Sequence, residues 1–167
     1  AVLREQVLRA AQKAFGHRLM FDCVIPGGVA NDLSDESVSA IRSTVDTIGK
    51  RFPDLVTLYD ETPSLQDRTV KTGFLSAELA KAFGAGGFVG RASGRGFDVR
   101  KSLAYAPYEH LSFEMPVRED GDVNARVWIR IKEVEQSLAL ITQILAKLPD
   151  GPIRTEMPAS GMSSEGL

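Results

Sequence analysis

The stretch VNARVWIRIKEVEQSLALITQILAKL, residues 123–148, decides the fold because it holds the clearest apolar pattern of the sequence. Its apolar side chains recur every 3 or 4 residues, at Val123, Val127, Ile131, Val134, Leu138, Ile141, Leu145 and Leu148. This spacing places them on one face of a helix of about 26 residues, roughly 39 Å long. Pairs of opposite charge, Arg130 with Glu133 and Lys132 with Glu135, suit its other face. The pattern predicts a long helix packed on a core.

Shorter helical patterns precede this stretch. The first begins with the chain and stops at Gly16, and a helix that begins without a capping residue indicates a chain cut from a longer one. A second helix starts at the N-cap Ser34 and is predicted to break at Pro53, because proline cannot donate the helical hydrogen bond. A third is capped by Ser76 and runs to about Phe83.

Extended structure is predicted at one place. Apolar and polar side chains alternate in residues 110–117 (HLSFEMPV), which predicts a strand, with residues 69–74 as its candidate partner. Residues 84–96 contain six glycines and show no obvious regular element. The predicted fold class is therefore mainly α, or α+β with a small antiparallel sheet. We expect one domain over residues 1–152 and a disordered tail over residues 153–167.

Composition excludes several classes of protein. The 167 residues carry a net charge of -2, which argues against a nucleic-acid-binding domain, because such domains have a basic excess. No apolar run approaches the roughly 20 residues that a membrane-spanning helix needs. One cysteine, Cys23, excludes an internal disulfide and a metal site with several thiolates from this chain alone. Neither a nucleic-acid partner nor a membrane span is expected.

Residues that could carry catalysis are few. The two histidines, His17 and His110, are far apart in sequence and have no partner at metal-ligand spacing. Cys23 has no histidine at the spacing of a nucleophile and its base, so an inert thiol is the simpler interpretation. A hydrolase that uses His17 or His110 is therefore a weak hypothesis. No catalytic residue and no metal site are predicted in this chain.

The glycine-rich stretch fails both tests for a phosphate-binding motif. It lacks the Gly-Lys-Ser or Gly-Lys-Thr of a Walker loop, and Val89 stands where a dinucleotide fingerprint needs its third glycine. It leads into a cluster of charged residues: Arg91, Arg95, Asp98, Arg100 and Lys101. Arginine forks suit backbone carbonyls, carboxylates and anions alike, so a structural loop is favoured and an anion-binding or regulatory module over residues 84–101 is the alternative. Pro26, Gly27 and Gly28 predict a tight turn.

Three motifs in order resemble one family of redox subunits. They are PGGV at residues 26–29, RASGRGFDVRK at 91–101, and GDVNAR at 121–126 before the long helix. The sequence resembles the large subunits of membrane-bound energy-converting nickel–iron hydrogenases and the quinone-chamber subunit of respiratory NADH dehydrogenase, complex I. GHRLMFD at residues 16–22, and Ile25 where complex I relatives carry a basic residue, favour the hydrogenase branch. Phe97 and Cys23 stand where relatives often have Trp and Arg.

The resemblance implies a helical, hydrogenase-large-subunit-like fold and a parent oxidoreductase of a multi-subunit complex. It implies a nickel–iron centre or a quinone in the parent and no cofactor held by this chain, which looks like the segment between two Cys-x-x-Cys pairs. It further implies an iron–sulfur small subunit and membrane subunits as partners, at the cytoplasmic face of the inner membrane. The chain alone is then structural and inactive. Its apolar faces predict self-association.

The resemblance also suggests which residues shape the parent's cavity. We expect the 91–101 loop to order a cavity wall through salt bridges to Asp98. The candidates for a cavity-wall or structural role are His17, Arg18, Arg91, Arg95, Asp98, Arg100 and Lys101.

Overall fold

Helices make up most of the computed structural model, which describes residues 2–156. In chain order the elements are α1 Val2–Phe15, β1 Val24–Ile25, β2 Gly28–Val29, α2 Asp35–Asp60, α3 Pro63–Thr69, α4 Ala77–Ala82, α5 Gly87–Ala92, α6 Val99–Ser102, a 3₁₀ turn Tyr108–His110 and α7 Val123–Ala146. The two strands form an antiparallel pair. The predicted fold class, mainly α with a small antiparallel sheet, is confirmed.

Contacts divide the chain into two units, which are described separately. Among the described residues, one unit joins residues 2–44 to residues 148–156, and the other is Val45–Lys147. Helix α2 contributes residues to both. The predicted domain boundary at residue 152 stays a prediction.

In the first unit, the β1–β2 hairpin is joined by the chain that follows residue 152. The Val29 N–H donates to the carbonyl of Ile153 at 3.0 Å, and the Thr155 N–H donates to the carbonyl of Gly27 at 2.9 Å. Gly28 and Arg154 also form an isolated antiparallel β-bridge. These residues open the segment 153–167 for which a disordered tail is predicted, and residues 157–167 lie outside the described part of the chain.

Helix α2 starts as the sequence predicts and ends later. The Ser34 hydroxyl accepts a hydrogen bond from the Ser37 N–H at 3.2 Å, which caps the helix. The predicted break at Pro53 is wrong, because Pro53 lies inside the helix. A proline removes one hydrogen bond, and contacts beyond it hold the last turns: the Tyr59 hydroxyl donates to Asn124 Oδ1 at 2.8 Å. Gln66 Nε2 also donates to the Tyr59 carbonyl at 2.8 Å.

The glycine-rich stretch contains a helix that the sequence does not reveal. Helix α5, Gly87–Ala92, is six residues long, follows Gly84 and Gly86 and packs on α7. The prediction of no regular element was therefore wrong. Ala92 of α5 and Ala125 and Ile129 of α7 are buried together, which puts the core of the second unit at this helix crossing. Small residues there allow the two backbones to approach closely.

The predicted strand at 110–117 does not form. Residues 111–117 have no regular secondary structure, and their backbone is bonded to side chains of α7 instead of a neighbouring strand. The Ser112 N–H donates to Gln143 Oε1 at 2.9 Å, and the Glu114 N–H donates to Gln136 Oε1 at 2.9 Å. The proposed partner, residues 69–74, instead contacts the start of α7, where the Val123 N–H donates to the Thr72 carbonyl at 2.9 Å. The alternation of apolar and polar residues in this segment therefore reflects one half-buried face and does not reflect pairing with another strand.

The long helix α7 begins at Val123 because Asp122 caps it. Asp122 Oδ1 accepts from the Ala125 N–H at 2.7 Å, and its Oδ2 accepts from the Lys71 N–H at 2.7 Å. This carboxylate is 5% exposed, so both bonds are shielded from water. One side chain therefore starts the helix and fastens the preceding loop to it.

Replacing Asp122 with Ala is expected to lower the free energy of unfolding by about 1.5 kcal/mol, since a lost N-cap costs about 1 kcal/mol and the Lys71 bond is lost as well. Urea unfolding followed by circular dichroism measures the change. Asp122→Asn keeps the acceptor for Ala125 and loses the one for Lys71, so it should have an intermediate effect. Equal stability of all three proteins would contradict this role.

Candidate functional site

Four charged side chains of the second unit meet at the core. Arg91 lies on α5, Asp98 is the N-cap of α6, and Arg100 lies on α6. Arg100 Nη2 is 2.7 Å from Asp98 Oδ2, and Arg91 Nη1 is 3.6 Å from the same oxygen. Glu133 of α7 pairs with the other end of the Arg91 guanidinium. These four residues are called the 91/98/100/133 cluster below.

Burial distinguishes this cluster from an ordinary surface ion pair. The side chains of Arg91 and Asp98 are each 7% exposed. Arg91 Nη1 also donates to the carbonyl of Phe97 at 3.0 Å, while Nε of Arg91 is buried and meets no acceptor among residues 2–156. Buried charges are costly unless they are paired, and two arginines against two carboxylates balance here. The arrangement joins α5, α6 and α7.

The pKa values of the cluster follow from these contacts. The hydrogen bond from the Arg100 side chain lowers the pKa of Asp98 below its usual value, against an opposing effect of burial. The same pairing raises the pKa of Arg100. Burial lowers the pKa of Arg91, because desolvation penalises the charged guanidinium. Asp98 and both arginines are charged near neutral pH.

Glu133 is the member of the cluster that was not among the candidates predicted from the sequence. The predicted pair of Arg130 with Glu133 does not form, because Glu133 binds Arg91 and Arg130 lies 5.2 Å from the centre of the Phe88 ring. The predicted pair of Lys132 with Glu135 does form, at 2.9 Å. A signal was present: Glu133 follows the buried Ile129 by four residues and so shares its helix face. A carboxylate on a buried face needs a cation.

The other two candidates from residues 84–101, Arg95 and Lys101, make contacts of their own outside the cluster. Arg95 Nη1 donates to the carbonyl of Ala85 at 2.6 Å, and its guanidinium lies 5.6 Å from the centre of the Phe97 ring. Lys101 is exposed, with Nζ 6.0 Å from the centre of the Phe113 ring. Arg95 thus closes a turn of the backbone, and Lys101 stands apart from the cluster.

His17 and Arg18 belong to the first unit. His17 Nδ1 accepts from the backbone N–H groups of Leu19 and Phe21, at 3.2 and 3.4 Å. Arg18 Nη2 is 2.7 Å from Glu5 Oε2. Hydrogen bonds from Arg18 and then Arg9 lower the pKa of Glu5 to about 2. Both candidates therefore order the chain that follows α1.

The Pro26–Gly28 turn and a surface cavity complete the first unit. Gly28 has a φ of +159°, and a side chain there would overlap the Ile153 carbonyl. The cavity has a volume of about 650 Å³ and a mainly apolar lining that includes Phe15, Val38 and Cys23. Cys23 Sγ lies 3.6 Å from the carbonyl oxygens of Phe15 and Phe21. This thiol is held by backbone acceptors.

Comparison with known proteins identifies the family. The model of the family described as respiratory-chain NADH dehydrogenase, 49 Kd subunit, matches residues 2–165. The chain belongs to this family. The resemblance carried by the PGGV, RASGRGFDVRK and GDVNAR motifs is thereby confirmed.

Similar proteins in other organisms are named as subunits of NADH-quinone oxidoreductase. An NADH-quinone oxidoreductase subunit of Ehrlichia canis (strain Jake) is 38% identical over 92% of this chain and 39% of that protein. The protein of the same name from Desulfotalea psychrophila is 37% identical over 92% of this chain and 41% of that protein. The one from Wolbachia pipientis wMel is 33% identical over 92% and 39%. The chain spans about two fifths of the length of these relatives.

The residues of this family member do not fit a nickel–iron centre. Thiolates are the ligands of such a centre, and the whole sequence has one cysteine. Within residues 2–156, no three His, Cys, Asp or Glu side chains are grouped so that they could hold a metal ion. The helices in the same range include none with the length and apolar character to cross a membrane. A hydrogenase parent stays a prediction.

Replacing Arg100 with Gln is expected to change how stability depends on pH. The folded-state pKa of Asp98 lies below its unfolded value of about 3.9, so its stabilising contribution is complete above about pH 5 and is lost as pH falls through the folded pKa. Arg100→Gln removes the largest cause of this shift. The stability gap between wild type and variant should therefore be widest near pH 7 and narrow below about pH 4.

Urea unfolding at a series of pH values measures this gap. Arg118→Gln is the control, because Arg118 and its partner Asp120 are both exposed and should give a small, flat difference. A gap for Arg100→Gln that stays constant from pH 7 to about pH 3 would refute the assigned pairing.

Proposed function

We propose that this chain is a structural part of a quinone-linked redox subunit. The observation that carries the proposal is its alignment, over 92% of its length, with subunits of NADH-quinone oxidoreductases. The chain orders a cavity wall of the parent and contributes no catalytic residue of its own. The quinone is the substrate of the parent, and this chain holds no cofactor.

The partners follow from the same proposal. The parent receives electrons from an iron–sulfur small subunit and assembles with membrane subunits. It lies on the cytoplasmic face of the inner membrane, attached through those subunits. In this arrangement the chain alone has no redox activity.

The geometry of the 91/98/100/133 cluster supports a structural task for the glycine-rich stretch. Its two cations, Arg91 and Arg100, are matched by the carboxylates of Asp98 and Glu133. Because the cluster is neutral overall and mostly buried, its arginines are engaged inside the protein. This argues against the alternative of an anion-binding module. The cluster instead fixes residues 91–100 against α7.

The test is Asp98→Asn in the complete subunit, in its complex. Asparagine keeps the shape and loses the charge that holds Arg91 and Arg100, so the wall should loosen. We expect NADH oxidation with a short-chain quinone to fall by about tenfold, as for a loss of roughly 1.4 kcal/mol in the transition state. Reduction of ferricyanide by the same preparation should change little, since it need not use the quinone cavity.

Asp120→Asn is the matched control, because Asp120 pairs with Arg118 on the surface. It should leave both activities unchanged. Quinone and ferricyanide reduction that are both normal in Asp98→Asn would remove the proposed role of the cluster. A complex from which this chain is absent would remove the proposed function altogether.

A further inference from the structure

An exposed apolar segment follows α6 in the second unit. Residues 103–107, LAYAP, are five consecutive apolar residues and all are exposed. Leu103 is 67% exposed and Tyr105 is 49% exposed, and Val99 beside them is 45% exposed. Single exposed apolar side chains are common, but a continuous run on an ordered loop marks an interaction site. Val99, Lys101 and residues 103–107 are called the 99–107 surface.

The loop is held in shape before anything binds. Asp98 caps α6 through the Arg100 N–H at 3.0 Å, and the Tyr108 N–H donates to the Tyr105 carbonyl at 2.9 Å. The rings of Tyr105 and Tyr108 lie edge to face with centres 5.1 Å apart. Ala104 has a φ of +40°, a left-handed conformation that alanine adopts only at a cost. A preorganised apolar loop loses little conformational entropy when it binds.

The charge of the 99–107 surface restricts the partner. The neighbouring Arg100 is paired with Asp98, whereas no carboxylate within residues 2–156 is in ion-pairing distance of Lys101. The surface thus presents apolar side chains beside one uncompensated ammonium group. A complementary partner presents apolar side chains and a carboxylate.

Two other occupants fit less well. Anionic lipid headgroups are recognised by clusters of about 4–8 Lys or Arg residues, whereas this surface has one cation, Lys101, that lacks a carboxylate partner within residues 2–156. A second copy of the chain that used the same surface in a two-fold contact would bring the two copies of Lys101 together, and like charges repel. A protein segment with an acidic side chain needs only one cation opposite it, and it brings no second positive charge close to Lys101.

We propose that the 99–107 surface docks a segment of a neighbouring subunit, with an Asp or Glu of that subunit opposite Lys101. The inference rests on the proposed membership of a multi-subunit complex and names one docking surface within it. Leu103 and Tyr105 supply the apolar contact, and Lys101 sets the charge.

Zero-length cross-linking of the intact complex tests the proposal. A carbodiimide joins a lysine amine to a carboxylate only where the two are in contact, and mass spectrometry identifies the linked peptides. We expect a link between Lys101 and an Asp or Glu of another subunit. The Lys13–Glu36 pair, with Nζ and Oε1 2.5 Å apart, is the internal control for reactivity.

Variants at Leu103 provide a second test, in which the yield of the Lys101 cross-link is measured. Leu103→Asp should reduce the yield of the Lys101 link by about tenfold, which is the effect of losing a moderate binding hot spot. Leu103→Met keeps the apolar contact and should leave the yield unchanged. Because Leu103 is mostly exposed, neither change touches the core.

The outcomes separate the possible occupants. A Lys13–Glu36 link without any link from Lys101 to another subunit overturns the inference and leaves the proposed function standing. A cross-link from Lys101 to a second copy of the chain, or to a carboxylate of the same polypeptide, also overturns the inference and leaves the proposed function standing. Sedimentation of the chain with phosphatidylglycerol vesicles that is lost in Leu103→Asp assigns the surface to lipid and also overturns it. Absence of the chain from the complex overturns both.

Discussion

Replacing Arg91 with Met is expected to lower the free energy of unfolding by about 3 kcal/mol, because it breaks a buried ion-pair network from one side. Methionine fills a similar length of space but cannot pair with Glu133 or donate to the Phe97 carbonyl, to which Arg91 Nη1 donates at 3.0 Å. The Glu133 side chain, 24% exposed, then lacks its cation inside the fold. Asp98 remains paired with Arg100 in this variant. We therefore expect a loss of stability at the lower end of the range for broken buried ion pairs.

Urea unfolding of Arg91→Met beside wild type measures the loss. Arg118→Met is the control, since Arg118 pairs with Asp120 at 3.0 Å on the surface and such a pair contributes less than about 1 kcal/mol. The double variant Arg91→Met with Glu133→Leu removes both charges and should recover part of the stability, since a buried pair replaced by apolar side chains is often nearly neutral. An Arg91→Met protein as stable as the Arg118→Met control would show that the cluster is not a structural support.

Helix α7 shows how far periodicity alone predicts this fold. Its apolar spacing predicts a helix over residues 123–148, and the structure has α7 at Val123–Ala146. The pattern is local and extends over several turns, so a few polar exceptions do not obscure it. The short helix α5 has no such pattern, because the residue that it buries in the apolar cluster with α7 is a single alanine, Ala92. Its stability comes from packing, which a local pattern does not report.

The 91–101 stretch shows a similar limit for the candidate site. Arg91, Asp98 and Arg100 lie within ten residues of one another, and the salt bridges to Asp98 that this spacing predicts are present. Glu133 comes from a different helix, and the local pattern offered Arg130 as its partner at helical spacing. The contact with Arg91 requires knowing that α5 crosses α7. Long-range pairs of this kind follow from the fold and not from spacing.

Replacing Gly90 with Ala should destabilise the protein by about 2–3 kcal/mol, the usual cost of forcing extra atoms into a packed core. Gly90 is buried on α5, and a Cβ atom there would overlap the carbonyl oxygen of Ala85. That carbonyl has little room to move. It accepts the 2.6 Å hydrogen bond from Arg95 Nη1, and the Ala85 N–H is bonded to the Ala80 carbonyl at 2.8 Å.

A nearby glycine provides the matched control for this prediction. A Cβ atom on Gly86 would meet nothing within 4 Å, and its φ of -106° suits any residue. Gly86→Ala should therefore change stability by less than about 0.5 kcal/mol, since the reduced freedom of the unfolded chain offsets the weaker cap. Thermal and urea unfolding of both variants give the comparison. If Gly90→Ala is as stable as Gly86→Ala, then α5 does not approach residue 85 closely, and the glycines of this stretch need another explanation.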